Sequence, residues 1–266
     1  MTSLKRTFDQ HAKEYRKYRP SYPMALANDI QKVAALGKGC NILEIGCGAG
    51  QATDLFVKLR PRQISIDIGS RLVEECRERF SSLSSYSFRC SSFEDYETDI
   101  EKYDLIYAAT CFHWLTPGVR FVKSHSSLKP NGHLAVFSDR HLKNRGGFFA
   151  EVQDCYGLHA PELIQVPKKE KKADEIREEN PLRLVATRDY DRDIKYTADE
   201  YVGLLKTFSG HIALGDLRLR SLCESIHNLI INKYEGEVIK TLTTGLKIYG
   251  KAEQNGQPDA FGAGYL

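Results

Sequence analysis

The chain has 266 residues, of which 41% are hydrophobic and 27% are charged, and its formal net charge is +3. This composition is ordinary for a globular protein with a sizeable core, in one large domain or one domain with an insertion. The small net charge gives no global attraction to nucleic acid or to an acidic membrane, and no run approaches the roughly 18 apolar residues of a membrane span.

The seven cysteines carry information about chemistry and compartment. They include no C-x-x-C pair and no Cys/His cluster with the spacing of zinc ligands, so we predict no metal site. An odd number of cysteines, in a sequence that shows no signal peptide, favours a reduced, cytoplasmic protein.

In chain order, the first 22 residues are polar and aromatic, and a helix is predicted from Pro23 to Val33. The most informative stretch follows at 41–59. Apolar Asn41–Ile45 predicts a buried strand, three alternating glycines come next, and residues 51–59 predict a helix. Glycines allow a sharp turn and close approach of a ligand, and the amides that open a helix form a partly positive cup. This stretch predicts a site for a nucleoside-bearing small molecule.

The glycine spacing separates two classes of nucleoside ligand. A dinucleotide-binding loop has its third glycine three positions after the second; here that position is Gln51, and the last glycine comes one residue early at Gly50. The nearby carboxylate of Glu44 disfavours a pyrophosphate and suits an ammonium or sulfonium group. The alternatives are a dinucleotide-binding domain and an unrelated α/β domain whose glycine turn serves only packing.

Residues 40–138 continue the alternation of strands and helices that is typical of a parallel sheet. The second predicted strand, 63–68, contains Asp67, and an acid near this point of a doubly wound fold accepts hydrogen bonds from ribose hydroxyls. Ser70 is expected to cap a helix over 71–80. A further helix is predicted from Pro117 through Ser127.

After residue 138 the alternation of strands and helices breaks. The loop over 139–147 is basic, with Arg140, His141, Lys143 and Arg145, which slightly favours an acidic acceptor. The remaining predictions are a helix over 148–156, a charged helix face over 168–175, strand six over 184–190, a helix over 198–207 capped by Thr197, an amphipathic helix over 217–234 and a closing strand over 242–249.

With its E-x-G-x-G-x-G motif, the spaced acid, the Tyr103–Ala109 strand and the Lys-Pro-Asn-Gly turn at 129–132, the chain resembles the class I S-adenosylmethionine-dependent methyltransferases. The resemblance implies an α/β fold: a doubly wound, Rossmann-like, mostly parallel seven-stranded sheet with a small helical cap. It divides the chain into an N-terminal lid segment with the first helix (1–36), an S-adenosylmethionine-binding core (37–140), a helical cap with strand six (141–235), a closing strand (236–251) and a loose tail (252–266).

A narrower resemblance rests on 8–23, with its Phe-Asp and Arg-Pro-x-Tyr-Pro residues, on Cys111 to Leu115 and on 201–209. These segments resemble the branch of small-molecule methyltransferases that contains trans-aconitate methyltransferase. The branch implies methylation of a small-molecule acceptor, often on a carboxylate oxygen. It also implies a monomer or weak dimer, and no nucleic-acid or membrane partner.

The resemblance also implies roles for individual residues. Glu44 would serve the methionine end of the donor, Asp67 its ribose, and Ser92 with Phe93 its adenine. His113 and Trp114 follow strand four, where they would orient the acceptor or take its proton, and the segment carrying Tyr15, Arg19 and Tyr22 would fold across the mouth. The implied donor-binding residues are Tyr15, Arg19, Glu44, Gly46, Cys47, Gly48, Gly50, Asp67, Ile68, Leu72, Ser92, Phe93 and Ala109, and the implied catalytic residues are His113, Trp114, Tyr15 and Arg19.

Two other functions stay open at this point. A protein or nucleic-acid methyltransferase is disfavoured because the chain has no dense basic stripe and no Asn/Asp-Pro-Pro-Tyr motif. A non-catalytic module would bind the S-adenosyl ligand without turnover.

Overall fold

The computed structural model of the chain describes residue 9 and residues 12–141, 146–164 and 179–251. Seven strands form one sheet: β1 (Asn41–Ile45), β2 (Arg62–Asp67), β3 (Tyr86–Cys90), β4 (Tyr103–Ala109), β5 (Leu128–His141), β6 (Leu182–Thr197) and β7 (Glu237–Lys251). Their order is β3-β2-β1-β4-β5-β7-β6. Strands β1 to β5 are parallel, and β7 runs antiparallel to both β5 and β6. The predicted mostly parallel, seven-stranded sheet is therefore confirmed.

Helices cover both faces of this sheet and build a cap over one end of it. The α-helices are α1 (Ala12–Tyr18), α2 (Met24–Val33), α3 (Ser70–Arg79), α4 (Arg120–Ser127), α5 (Phe148–His159), α6 (Ala198–Leu205), α7 (Ser209–Ile212) and α8 (Asp216–Lys233). Alternate residues of β1 enter different cores, with Ile42 on the α2 side and Leu43 on the opposite side. The cap has a separate core of its own.

Several predicted elements differ in detail from the structure. The helix expected over 51–59 is a 3-10 helix, Thr53–Leu59. Strands β6 and β7 are 16 and 15 residues long, about twice their predicted lengths. The Thr197 cap is confirmed, because Thr197 and Glu200 form a reciprocal capping box. The charged run at 168–175, the tail at 252–266, Lys143 and Arg145 lie outside the described residues, and the division into segments stays a prediction.

The predicted cap of α3 is wrong, because the cap comes from the N-terminal segment. Ser70 is the first helical residue, and Gly69 before it provides no side-chain cap. Instead, the Asp9 carboxylate accepts hydrogen bonds from the amides of Arg71 (2.7 Å) and Leu72 (3.1 Å). A carboxylate satisfies two of the unpaired amides there and suits the positive end of the helix. This contact ties the start of the chain to the helix that follows β2.

We expect Asp9→Ala to lower the free energy of unfolding by about 1 kcal/mol, as loss of a helix cap does. Urea denaturation of the full chain measures this difference. Asp9→Asn is the matched control, because its amide oxygen can still accept from the helix amides. Equal losses for the alanine and asparagine variants would contradict the capping role.

Within the described ranges, no helix combines the length and the hydrophobicity required to cross a membrane.

Candidate active site

A cavity of about 300 Å³ opens at the carboxyl ends of β1, β2 and β4. Ligands of open α/β sheets bind outside the carboxyl ends of the strands, and this volume is at the small end of the usual range for ligand pockets. Twelve residues predicted for the site line this first cavity: Tyr15, Arg19, Gly46, Gly48, Asp67, Ile68, Leu72, Ser92, Phe93, Ala109, His113 and Trp114.

The glycine loop has two residues at the cavity and one away from it. Gly46 has φ +68°, and a Cβ there would lie 2.6 Å from the Cys111 sulfur, so only glycine fits. Gly48 also has positive φ and lies in the cavity wall. Gly50 does not line the cavity; a Cβ at Gly50 would lie 2.6 Å from the Phe80 ring. Gly50 packs against Phe80, and its predicted part in ligand binding stays a prediction.

Asp67 is fixed at the mouth of the first cavity by the backbone. One carboxylate oxygen accepts from the amide of Gly48 and the other from that of Gly69, both at 2.9 Å. Burial raises the pKa of this carboxyl, whereas the two amide bonds oppose the increase by favouring the charged form. Each oxygen accepts one of these bonds and has capacity for another. Asp67 is thus a preorganised acceptor for a pair of hydroxyl groups.

Glu44 lies in β1 beneath the glycine loop. Its side chain is fully buried and lines neither this cavity nor the second one described below. One carboxylate oxygen accepts from Thr53 (2.7 Å), Ser65 (2.7 Å) and Gln63 (3.1 Å). The carboxylate joins β1 and β2 to the 3-10 helix beneath the loop, and its interaction with the methionine end of a donor, direct or through water, stays a prediction. Burial raises the pKa of Glu44 to about 7, against hydrogen bonds that lower it.

The N-terminal segment lies against the cavity, as predicted. The Tyr15 carbonyl accepts a hydrogen bond from the Gln51 side chain at 3.1 Å. The Arg19 guanidinium donates to the hydroxyl and the carbonyl of Thr207, at 2.9 and 3.0 Å. It also stacks near the rings of Tyr15 and Phe208, 5.0 and 4.3 Å from their centroids. Arg19 therefore joins the N-terminal segment to the cap at the edge of the cavity.

A second cavity of about 240 Å³ adjoins the first on the side of β5 and β7. It extends to Asp139 at the end of β5, Leu242 of β7 and Phe208 of the cap, and Cys47 lines it as well. The two cavities share six wall residues: Tyr15, Arg19, Gly46, Gly48, Ala109 and Thr110. Two neighbouring compartments with a common wall can hold two reactants side by side.

Thr110 and Asp139 are site residues that sequence reasoning missed. Thr110 has φ +59°, a strained value for a β-branched residue, and its hydroxyl is 2.7 Å from that of Tyr22. The sequence signal that could have identified Thr110 is its position directly after β4. Asp139 is held by Arg192 at 3.2 Å and by the Thr244 hydroxyl. Nothing in its local sequence distinguishes it from an ordinary loop acid.

His113 and Trp114 line only the first cavity, beside Phe93 and Leu115. Their ring centroids are 5.0 Å apart. Burial, assisted by Arg120, lowers the pKa of His113, so the imidazole is neutral at pH 7. The structure thus places the predicted catalytic histidine away from the second cavity.

The thiols at the site are unsuited to nucleophilic chemistry. Cys111 donates a hydrogen bond to the Ile45 carbonyl at 2.9 Å, and burial raises its pKa. A hydrogen bond with Cys76, together with burial, raises the pKa of Cys47. Both groups are therefore neutral thiols near pH 7.

Among the described residues, no group of His, Cys, Asp or Glu side chains could hold a metal ion. Arg140, which was predicted in a basic loop, lies in β5 and pairs with Asp189 at 2.6 Å.

With this geometry in place, comparison with known proteins is informative. The sequence profile of a methyltransferase domain family matches residues 42–132, the stretch from β1 into β5 that carries the glycine loop and Asp67. The stretch 42–132 is thus similar to a methyltransferase domain. An uncharacterized methyltransferase-like protein of Schizosaccharomyces pombe is 27% identical over 132 residues, covering 49% of this chain and 50% of that protein.

Two further comparisons extend beyond the methyltransferase domain. A malonyl-[acyl-carrier protein] O-methyltransferase of Priestia megaterium is 32% identical over 168 residues, covering 60% of this chain and 58% of the relative. The chain thus spans little more than half the length of these curated relatives. A solved structure from Anaeromyxobacter dehalogenans, described as a type II methyltransferase, matches with a TM-score of 0.62 at 19% identity, over 88% of this chain and 97% of that one. The fold is that of the class I S-adenosylmethionine-dependent methyltransferases, as predicted.

Proposed function

We propose that this protein transfers a methyl group from S-adenosylmethionine to a small-molecule acceptor, on a carboxylate oxygen. The observation that carries the proposal is the Asp67 carboxylate, fixed by two amides at the mouth of a cavity in a methyltransferase domain. This cavity shares part of its wall with the second cavity, which is large enough for a small organic acid.

The first cavity fits the donor part by part. The apolar side chains of Ile68, Leu72 and Phe93 would hold the adenine, with Ser92 at its edge. Asp67 would accept hydrogen bonds from the two ribose hydroxyls. The methionine end would lie along Gly46 and Gly48, where Tyr15, Arg19 and the Ala109 carbonyl line the wall.

When bound, the donor supplies a methyl group on a sulfonium, which an acceptor oxygen attacks, and S-adenosylhomocysteine is the product. The protein's own residues therefore have to position the two reactants and to exclude water. They do not have to provide a nucleophile. A carboxylate is already ionised at neutral pH, so it needs no general base. Arg19, in the wall shared by both cavities, would attract and orient such an anion. The name of the Priestia megaterium relative, an O-methyltransferase for a malonyl group, supports an oxygen acceptor.

Two measurements test the proposal. Calorimetry of the full chain should show binding of S-adenosylhomocysteine and none of a nicotinamide dinucleotide. A donor-consumption screen over organic acids, phenols and amines should then show turnover with acids. Binding without turnover on any acceptor would instead indicate a non-catalytic module, and turnover restricted to amines would contradict carboxylate methylation.

We expect His113→Ala to lower kcat by less than about tenfold, because a carboxylate acceptor needs no base and His113 lies away from the second cavity. The measurement is kcat with the best acid from the screen. A loss of about 100-fold or more would show that His113 transfers a proton, and would contradict the ionised-carboxylate mechanism.

The remaining parts of the proposal concern the protein's surroundings. All seven cysteines are free thiols, which supports a reducing, cytoplasmic location. A monomer or weak dimer, acting on a small molecule without nucleic-acid or membrane partners, is consistent with the net charge of +3.

A further inference from the structure

Lys240 of β7 lies next along the strand face that contributes Leu242 to the second cavity. It is two residues from Leu242, which lines that cavity, and alternate residues of a strand share a face. The Lys240 ammonium is 5.6 Å from the centre of the Tyr201 ring in α6. Burial, with the charge of Arg19, lowers the pKa of Lys240 to about 8, so the side chain is mostly charged at pH 7. The mechanism described above gives this cation no role.

The surroundings of Lys240 have an excess of positive charge. Burial and the charges of Lys240 and Arg19 lower the pKa of His211 to about 4, and its ring nitrogen is 2.8 Å from the Tyr156 hydroxyl. In the part of the chain that the structure describes, no carboxylate forms an ion pair with Lys240. Asp139, the one described acid that lines the second cavity, is already paired with Arg192 at 3.2 Å.

A buried hydroxyl in the same region has no partner within the protein. Tyr196 of β6 is 5% exposed, and its hydroxyl has no hydrogen-bond partner among the described residues. Its ring is 6.1 Å from that of Tyr201, and the charges of Arg192, Asp139 and Arg19 act on it. Burying a hydroxyl or an ammonium without a partner is costly. An anionic group in contact with both side chains would give each of them a partner.

We propose that Lys240 and Tyr196, together with Arg19, form a subsite that binds a carboxylate of the acceptor remote from the methylated oxygen. This inference rests on the proposed function, because it assigns the second cavity to the acceptor. It makes Lys240 a specificity-determining residue, which selects acids with a second negative group over acids with a neutral end.

Steady-state kinetics with linear dicarboxylates of increasing length, each compared with its monoamide, tests this assignment. For the dicarboxylate that reacts best, Lys240→Met should raise KM about 10- to 100-fold, the effect of losing a hydrogen bond to a charged group. KM for the monoamide should change less than threefold. Lys240→Arg should restore most of the affinity, and Tyr196→Phe should raise the dicarboxylate KM severalfold.

Lys247 offers the matched control, because it is an exposed lysine on the opposite face of the same strand. Lys247→Met should leave both KM values unchanged. The subsite is overturned if Lys240→Met changes KM for the dicarboxylate and KM for the monoamide by the same factor. It is also overturned if Lys240→Met has the same effect on these KM values as Lys247→Met.

Calorimetry separates failure of the subsite from failure of the proposed function. If no acid is methylated, glutarate is titrated into protein saturated with S-adenosylhomocysteine. Binding of glutarate that Lys240→Met abolishes supports the subsite even without turnover. Absence of glutarate binding to wild-type protein that does bind S-adenosylhomocysteine overturns the subsite only, whereas failure to bind S-adenosylhomocysteine overturns the proposed function.

Discussion

Replacement of Asp67 with alanine is expected to weaken binding of S-adenosylhomocysteine by at least about 100-fold, because each hydrogen bond to a charged acceptor contributes about 1.5–3 kcal/mol. The carboxylate would accept from two ribose hydroxyls, and it also fixes the amides of Gly48 and Gly69. Loss of the side chain therefore removes ligand contacts and loosens the loop. Isothermal titration calorimetry on the full chain measures the change.

Two controls separate a ligand contact from a folding defect. Asp67→Asn retains one acceptor oxygen and should lose less affinity than the alanine variant. Asp99→Ala removes a carboxylate that is 71% exposed and should bind like wild type. Thermal melting without ligand shows whether the fold persists. A folded Asp67→Ala protein with affinity within threefold of wild type would refute the ribose contact and with it the donor assignment.

The second large effect concerns stability and pH at Glu44. The pKa of this carboxyl is about 7 in the folded protein, against an ordinary value of 4.5. Below pH 4.5 the Glu44 side chain is protonated in both the folded and the unfolded state, so its contribution to the free energy of unfolding is fully present. As the pH rises to 7, the unfolded chain loses this proton first, and the folded state loses about 3 kcal/mol of stability relative to its value at low pH. Above pH 7 the carboxyl is ionised in both states, so its contribution to the free energy of unfolding no longer changes with pH.

Glu44→Gln should abolish this part of the pH dependence, because an amide does not titrate and still offers an oxygen to Thr53 and Ser65. The free energy of unfolding in urea, measured from pH 4.5 to 8, gives the two slopes. Glu74→Gln, at an exposed position on α3, is the matched control and should keep the wild-type slope. Parallel profiles for wild type and Glu44→Gln would show that the buried carboxyl titrates normally.

The sequence predicts many of the residues that line the first cavity, because their positions depend on local signals. The strand β1, the glycines after it and Asp67 at the end of β2 are short-range patterns set by parallel-sheet geometry. The capping box at Thr197 is equally local. Glu44 belongs to the same motif, yet its environment depends on Gln63 and Ser65 of the neighbouring strand. Its burial therefore could not be deduced from the motif.

The features that were missed arise from contacts between distant parts of the chain. Asp9 caps a helix more than sixty residues away, and Ser70 is a better local candidate. The subsite proposed for Lys240 depends on the insertion of β7 between β5 and β6. Strand β6 was predicted too short because exposed residues dominate it, with few buried positions to produce a regular alternation. For Asp9 and Lys240 the deciding information is how distant segments meet in the fold, which no single segment contains.

The position of β6 at the border of the sheet also affects how the protein behaves at high concentration. In the described part of the chain no further strand pairs with the outer edge of β6, and an edge strand of 16 residues can pair through its main chain with another extended chain. Here the strand bears arginine, aspartate and lysine along its length, including Arg188, Asp193 and Lys195. A strand of another molecule that paired with β6 would have to remove water from these charged side chains. The charges therefore protect the open border against fibrous aggregation.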